Sequence, residues 1–332
     1  MDVSSLSALP SNPRILVIRL SAIGDLVFAL PAVKALKDAR PDAIIDWLVE
    51  DKHAALLRSC PFLNEVLIYP RSTLTPFSLF AHLRSLRARG DYHLIFDFQS
   101  NSKSAMQLLA LKSKHKFGFA RGTAKEGAHL FHNHHVSITP RMHRAQRDAE
   151  LVRAAYSEVI LPQSVKWETD VNVDGSGLTL LHTTTTEYGR DKDWGAENWV
   201  ALARGLTTAG HDVALLHTPA DLAYVQKIAD AAKVDLAPST PSLEHLMSLL
   251  EHSKLLVSTD SGPAHIAGLR GNDVVCLFGA TDPQVYAPPG GDNVQVLYGG
   301  DSNTAPPKRQ RDRQSLLMTK IAVDEVIAKC SI

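Results

Sequence analysis

Cysteine is scarce in this chain. Three residues in 332, Cys60, Cys276 and Cys330, are too few and too widely spaced for a disulfide framework or a C-x-x-C metal site. Cys276 falls inside the apolar pattern Val274-Val275-Cys276-Leu277-Phe278, where it acts as a small hydrophobe, and a reducing cytoplasm is the expected setting. No uninterrupted apolar run approaches the roughly 18 residues that mark a membrane span. The first 13 residues have no basic region ahead of an apolar block, so they match a signal peptide poorly. Net charge is also missing: 35 Lys plus Arg balance 35 Asp plus Glu, which leaves no global field to attract nucleic acid. Any basic site must be local. No internal repeat with a period of about 20–50 residues is present.

The chain does contain a regular alternation of strand-length apolar bursts and helical patterns, the mark of parallel α/β layers. In the first half, strands are predicted near 15–19, 44–49, 66–69 and 93–98, with helices near 25–39, 74–89, 102–112 and 143–157. The pattern restarts with strands near 178–182, 212–216, 254–258 and 273–278 and helices near 195–209, 220–232 and 242–252. The polar segment 160–177, with Pro162, Gly175 and Gly177, reads as a linker. At this length two cores are expected, so we place one domain at 1–165 and a second at 166–332. Two such sheets facing one another leave a cleft at the carboxyl ends of their strands, where folds of this class bind ligands.

Residues 259–265, Thr-Asp-Ser-Gly-Pro-Ala-His, place a carboxylate, a hydroxyl and an imidazole where the strand Leu255-Leu256-Val257 turns into a helix. Helix-start N–H groups attract phosphate, an acid can bind ribose hydroxyls, and Gly262 lets the backbone approach closely. Each residue alone would read as a helix cap or a half-buried His; together, and followed by Phe-Gly-Ala-Thr-Asp-Pro at 278–283, they read as a nucleotide site. The loop from His182 through Thr183, Thr184, Thr185 and Thr186 to Arg190 and Lys192 follows a strand, offers hydroxyls and two cations, and suits a diphosphate. Asp25 follows the first strand and opens a helix. Its bare reading is balanced between a general base aimed into the cleft and an ordinary N-terminal acid whose pKa the helix dipole holds low.

The D-[S/T]-G-x-x-H pattern at 260–265, together with Arg14–Ala32 and its Ser21-x-x-Gly24-Asp25 loop, resembles glycosyltransferase family 9, the bacterial lipopolysaccharide heptosyltransferases. Shorter matches at Asp97-Phe-Gln-Ser, Phe117-Gly-Phe and Asp191-Lys-Asp-Trp extend the resemblance over most of 14–330. It implies a glycosyltransferase-B fold with two Rossmann-like domains, in which the first holds the acceptor, the second holds the nucleotide-sugar donor, and the terminal helix near 320–329 crosses back to the first. It further implies inverting heptosyl transfer from ADP-heptose to a lipopolysaccharide core acceptor, Kdo-lipid A or a heptosyl unit, without a metal or other cofactor. Asp25 then becomes the catalytic base, Lys192 the phosphate lysine, and Thr183, Thr184, Thr185, Asp260, Ser261, Gly262 and His265 the rest of the donor site. Ser21, Lys103, Lys116 and Arg121 are the acceptor-binding candidates, in a region made basic also by Arg141 and Arg144, which an acceptor carboxylate would favour. A cytoplasmic enzyme in peripheral contact with the inner membrane is the corresponding location. The loop reads Ser-Ala-Ile-Gly-Asp, and 51–75 lacks a dense basic run, departures that bear on the acceptor more than on the donor.

Six other readings bear on these segments. A dinucleotide dehydrogenase would use Glu50 for ribose, but only Gly24 stands where G-x-G-x-x-G needs three glycines, and Pro31 interrupts the helix that should follow. A non-hydrolysing nucleotide-sugar epimerase shares the architecture, and a non-catalytic nucleotide-sugar binder would share the donor site. Asp191-Lys192-Asp193 is a D-x-D that could hold a divalent ion, against the simpler reading of Asp193 as a helix cap before Trp194. His132-Asn133-His134-His135 has no common zinc spacing and reads as a polar loop and strand start. The basic segment 299–315, with Lys308, Arg309 and Arg311, reads as a solvated loop rather than a contact for acidic lipid.

Overall fold

The computed structural model describes residues 9–185, 187–307, 309 and 314–330, and these fall into two compact units, Met1–Pro162 and Gln163–Ile332. Thr186, Lys308 and Arg311 lie outside the described residues.

The first unit runs β1 (Arg14–Ile18), α1 (Ile23–Ala39), β2 (Ile44–Glu50), α2 (Ala54–Arg58), β3 (Glu65–Tyr69), α3 (Pro76–Ala88), β4 (Leu94–Asp97), α4 (Ser102–Ala110), β5 (His115–Phe119), β6 (His134–Val136) and α5 (Arg144–Arg153). Its six strands are parallel in the order β3-β2-β1-β4-β5-β6. Val17 sits between Trp47 and Phe96 in register, and Ile15 through Ile18 are fully buried. Such continuous apolar strands are what a sheet covered on both faces demands. One face carries α3 and α4 over Leu16, Ile18, Leu48 and Ile95.

The second unit runs β7 (Leu178–His182), α6 (Ala196–Thr208), β8 (Asp212–Leu215), α7 (Leu222–Ala232), β9 (Asp235–Leu236), α8 (Leu243–His252), β10 (Leu255–Thr259), α9 (Gly262–Arg270), β11 (Asp273–Phe278), α10 (Pro283–Tyr286), β12 (Val294–Tyr298) and α11 (Val323–Cys330). Its order, β12-β11-β10-β7-β8-β9, repeats the first topology strand for strand. In each sheet the chain reverses direction beside its first strand, at β1/β4 and at β7/β10, and ligand crevices form past the carboxyl ends of such a pair.

The structure corrects the sequence expectations at several points. Strands β5, β9 and β12 were not foreseen: β5 reads His-Lys-Phe-Gly-Phe, β9 is two residues long, and β12 is only half-buried; the strand start read at His132–His135 is the three-residue β6. Pro31 does not interrupt α1; it is buried inside the helix, at the loss of one backbone donor. The segment 160–177 has no regular structure but is anchored: Val165 N–H donates to the Leu269 carbonyl, and Trp167 is buried with the Arg270 guanidinium 5.2 Å from its ring centre. In the second unit, Val326 and Cys330 of the terminal helix α11 join the core of Trp194, Trp199 and Leu206 beside α6.

Candidate functional site

In the first unit Asp25 is the third residue of α1, directly after the β1 loop and so at the β1/β4 reversal. Arg19, leaving the end of β1, places Nη2 2.8 Å from Asp25 Oδ1, and Arg144, at the start of α5, donates Nη2 to the same oxygen at 2.5 Å. Burial works to raise the Asp25 pKa, but the two guanidiniums outweigh it and hold the carboxyl well below the usual range. Arg19 is itself buried and donates Nη1 to the Phe98 carbonyl at the end of β4. Behind this pair, Arg147 lies 4.1 Å from the Phe119 ring centre, its pKa lowered by burial to about 10, and burial pushes the Asp148 carboxyl up. Three guanidiniums thus surround two carboxylates, which makes this end of the sheet electropositive.

The acceptor candidates divide. Ser21 follows β1, with its N–H 3.3 Å from Gln99 Oε1, and Lys103 in the first turn of α4 donates to Glu50 Oε1 at 3.2 Å at the end of β2. Arg121 is exposed beyond β5. These three lie at the carboxyl ends of the strands, with Asp25. Lys116 does not: it sits near the start of β5, donates Nζ to the Leu108 and Leu111 carbonyls, and lines a cavity of about 660 Å³ with Tyr92, His93 and Lys114 at the opposite end of the sheet. The Lys103 contact also answers the dehydrogenase reading, because Glu50 is buried and engaged by a lysine.

In the second unit Asp260 ends β10 and is almost fully buried. Lys192 Nζ lies 2.6 Å from its Oδ2 and donates to its carbonyl at 2.9 Å; His265 Nε2 is 3.0 Å from Oδ1; Thr281 Oγ1 donates to Oδ2 at 2.7 Å. Burial alone would raise this carboxyl, and Lys192 with His265 overrides it, so it stays ionised. Ser261, the N-cap of α9, does not cap: its Oγ meets Ser258 Oγ at 2.8 Å and His182 Nδ1 at 3.3 Å. Thr184 Oγ1 continues this chain to Asp221 Oδ2 at 2.8 Å. Burial lowers the His182 pKa to about 4, so the imidazole is neutral at physiological pH. Thr183 Oγ1 is buried without a hydrogen-bond partner, Thr185 is half-buried in the same loop, and Gly262 is the first residue of α9.

Neither acid of the D-x-D is available as expected. Asp191 is buried and gripped by Arg309, Nε to Oδ2 and Nη2 to Oδ1, both at 2.7 Å. Asp193 Oδ1 accepts from Gly195 N–H at 3.0 Å; it closes a turn ahead of α6, whose N-cap is Gly195. The segment read as a solvated loop is therefore tied down at Arg309, and also at Gln314, which donates to the Asp193 carbonyl. With Asp191, Gly279, Ala280, Leu317 and Lys320 it walls a cavity of about 500 Å³, within the range of ligand pockets. The histidines disperse: His132 pairs with Asp97 at 2.9 Å, His134 meets His115 at 3.0 Å, and His135 bonds the His129 carbonyl. Among the described residues no group of three or more His, Cys, Asp or Glu is placed to hold one metal ion.

Residues 79–317 match the family model of glycosyltransferase family 9 (heptosyltransferase), well over half the chain. The chain belongs to glycosyltransferase family 9. It is similar to the lipopolysaccharide core heptosyltransferase OpsX of Haemophilus influenzae, 26% identical over 94% of each chain. It is 28% identical to lipopolysaccharide heptosyltransferase 1 of Escherichia coli over 81% of this chain and 89% of that one. The solved Escherichia coli heptosyltransferase WaaC with ADP shares the fold, with a TM-score of 0.76 and 24% identity over 94% of this chain and 97% of that one. This family 9 member is a glycosyltransferase with the two Rossmann-like domains of the glycosyltransferase-B fold, and membership decides against the dehydrogenase, epimerase-like and non-catalytic readings.

Sequence reasoning passed over Arg19, Asp221, Thr281 and Arg309 as parts of these clusters. Thr281 and Arg19 lay inside segments already singled out, and Asp221 is the acid that follows a strand end, so each carried a signal. Arg309 carried none, because only the folded chain brings it to Asp191, 118 residues away.

Proposed function

We propose that this family 9 glycosyltransferase is a heptosyltransferase of lipopolysaccharide core assembly, transferring heptose from ADP-heptose to a lipid-linked saccharide, Kdo-lipid A or a heptosyl acceptor. The observation that carries the reading is the match over 79–317, together with relatives named as lipopolysaccharide heptosyltransferases along most of their length. In this reading the protein works in the cytoplasm, in peripheral contact with the inner membrane. No helix among the described residues is long and apolar enough to cross a membrane.

The donor belongs to the β7/β10 reversal. Lys192 has three N–H donors, two of which serve Asp260, so it can add a diphosphate oxygen while staying in place. Asp260, Ser261 and His265 meet ribose or sugar hydroxyls, and the α9 start at Gly262 with Thr183, Thr184 and Thr185 faces phosphate. The acceptor belongs to the first unit, around Asp25, Ser21, Lys103 and Arg121, where the excess of guanidinium suits a carboxylate-bearing sugar.

In the reaction the acceptor hydroxyl oxygen forms a bond to the anomeric carbon as the bond from that carbon to the diphosphate breaks, which inverts the centre. The hydroxyl proton passes to Asp25, and Lys192 opposes the charge left on ADP. A carboxylate held this low is a weak base. It is sufficient for a proton that leaves late, because an oxygen already bonded to the sugar is strongly acidic. We propose that no metal takes part: Lys192 supplies the cation, and Asp191 is neutralised by Arg309.

The test is mass spectrometry of Kdo-bearing lipid A incubated with the protein, ADP-heptose and EDTA, beside an Asp25→Ala control. One added heptose, reduced roughly 10²–10⁴-fold in the control, is the expected result. A product that needs Mg²⁺ or Mn²⁺ overturns the metal-free reaction, an active Asp25→Ala overturns the base, and no product from any core acceptor overturns the heptosyl reading.

A further inference from the structure

Helix α3 is amphipathic in the wrong sense for a helix that meets only water on its outer side. Thr75 and Ser78 cap it reciprocally, and Leu79, His82, Leu83 and Leu86 face the sheet, where His82 Nε2 meets Gln107 Oε1 at 2.8 Å. The opposite stripe, at helical spacing, is Phe77, Phe80, Ala81, Arg84, Arg87 and Ala88, all exposed. Phe77 is 82% exposed and Phe80 65%, more surface than a satisfied aromatic normally leaves in water. Charge along this stretch has one sign: residues 70–90 contain Arg71, Arg84, Arg87 and Arg89 and no Asp or Glu. Arg89 is committed to Glu65 by two hydrogen bonds of 2.5 and 2.6 Å, which leaves the exposed Arg71, Arg84 and Arg87 to define the field. Of the flanking acids, Glu65 is paired with Arg89, Asp51 accepts from Ser72 N–H and Oγ, and exposed Asp91 lies beyond the end of α3, away from Phe77 and Phe80 along the helix. The apolar character continues next door: α4 packs beside α3 and exposes Leu109, and the turn at 128–131, packed on α4, exposes Leu130.

We propose that the outer face of α3 is a docking surface for an anionic lipid bilayer, with Phe77 and Phe80 entering the interface and Arg71, Arg84 and Arg87 against the headgroups. Two aromatic side chains followed on the same stripe by arginines, with no acid between them, form the pattern of a helix that lies in a membrane surface. Charge and apolar surface together select the occupant, because an anionic bilayer offers headgroups to the exposed arginines and an apolar interior to Phe77 and Phe80, whereas a neutral partner would leave the arginines without a role. Since α3 follows β3, it begins at the carboxyl end of the parallel strands, the end that also carries Asp25, so docking there brings the acceptor-binding end of the unit to the lipid surface. The inference deepens the reading of a lipid-linked acceptor, but its test uses neither donor nor acceptor, so the two can fail separately.

The full chain is sedimented with vesicles of phosphatidylcholine containing an equal share of phosphatidylglycerol, and with phosphatidylcholine vesicles alone. The wild type is expected to bind the anionic vesicles, less tightly as salt rises. Phe77→Ser with Phe80→Ser, and separately Arg84→Glu with Arg87→Glu, are each expected to weaken binding about tenfold or more at unchanged melting temperature, while Lys227→Glu in the second unit leaves it intact. Wild-type protein that ignores anionic vesicles, or both double variants binding as wild type does, overturns the proposal. So does a solution dimer that Phe77→Ser with Phe80→Ser dissociates, because the face would then be covered by a second copy of the chain. Because the two variant pairs are independent, either suffices if the other does not fold.

Discussion

Arg309 holds Asp191 by a two-pronged ion pair, Nε and Nη2 each 2.7 Å from a carboxylate oxygen, on a buried acid whose neighbour in sequence is Lys192. Removing the guanidinium leaves a buried carboxylate unpaired and loosens the loop that aims Lys192 at Asp260. Arg309→Ala is expected to cost roughly 2 kcal/mol of stability, below the roughly 3–5 kcal/mol of a fully buried broken pair because Arg309 is partly exposed. Its effect on turnover should exceed that of Arg309→Lys, which keeps the charge but not the fork. Urea unfolding and steady-state rates of the two variants check this; equal behaviour of both would show that the bidentate geometry has no role.

The His182 imidazole has its pKa lowered by burial to about 4. An ordinary His, as in the unfolded chain, takes up its proton near 6.5, so between about pH 6.5 and 4 the unfolded state binds more protons than the folded one. Stability should therefore fall as pH drops through that window, by this residue's share, and be fully present above it. His182→Asn is expected to flatten the slope of stability against pH between about 4 and 6.5. A histidine resonance for His182 that titrates near 6.5 in the folded protein would contradict the burial argument.

A side chain at Gly118 would meet the His132 ring, with an ideal Cβ only 2.1 Å from its Cε1 and Nδ1. Because His132 is held against Asp97 with both side chains fully buried, the ring cannot move aside without breaking that pair. Asp97 in turn accepts from Ser100 and Gln99 N–H groups and from Ser104 Oγ, which orders the β4–α4 loop. Gly118→Ala is expected to destabilise the first unit by about 3 kcal/mol or more, seen as a lower urea midpoint. A change within about 0.5 kcal/mol, the usual size for a surface site, would mean that the ring has room the structure does not show.

Much of this architecture was legible in the linear chain, because the signals are local. Ile15–Ile18 and Leu255–Val257 announce buried parallel strands by being apolar throughout, and the polar turns after them mark the carboxyl ends of the strands, where folds of this class form ligand crevices. The residues that follow those strands, Asp25 and Asp260, could therefore be named without coordinates. The edge strand β9 could not, since it owes its form to a neighbour's hydrogen bonds more than to its own two side chains.

The sequence by itself determined two Rossmann-like halves, the family, and which loops are the candidates for the site, because strand and helix periodicity and short motifs are written in consecutive residues. Only the tertiary structure decided the partners: that Asp25 is clamped by Arg19 and Arg144, that Asp260 collects Lys192, His265 and Thr281, that Lys116 stands at the wrong end of its strand, and that Arg309 removes Asp191 from any D-x-D. The reason is electrostatic. A buried carboxylate must be paired, and its partner comes from wherever the fold leaves a cation within about 3 Å: for Asp191 that cation lies 118 residues away along the chain, and half-buried Asp25 adds to nearby Arg19 a second one, Arg144, 119 residues away.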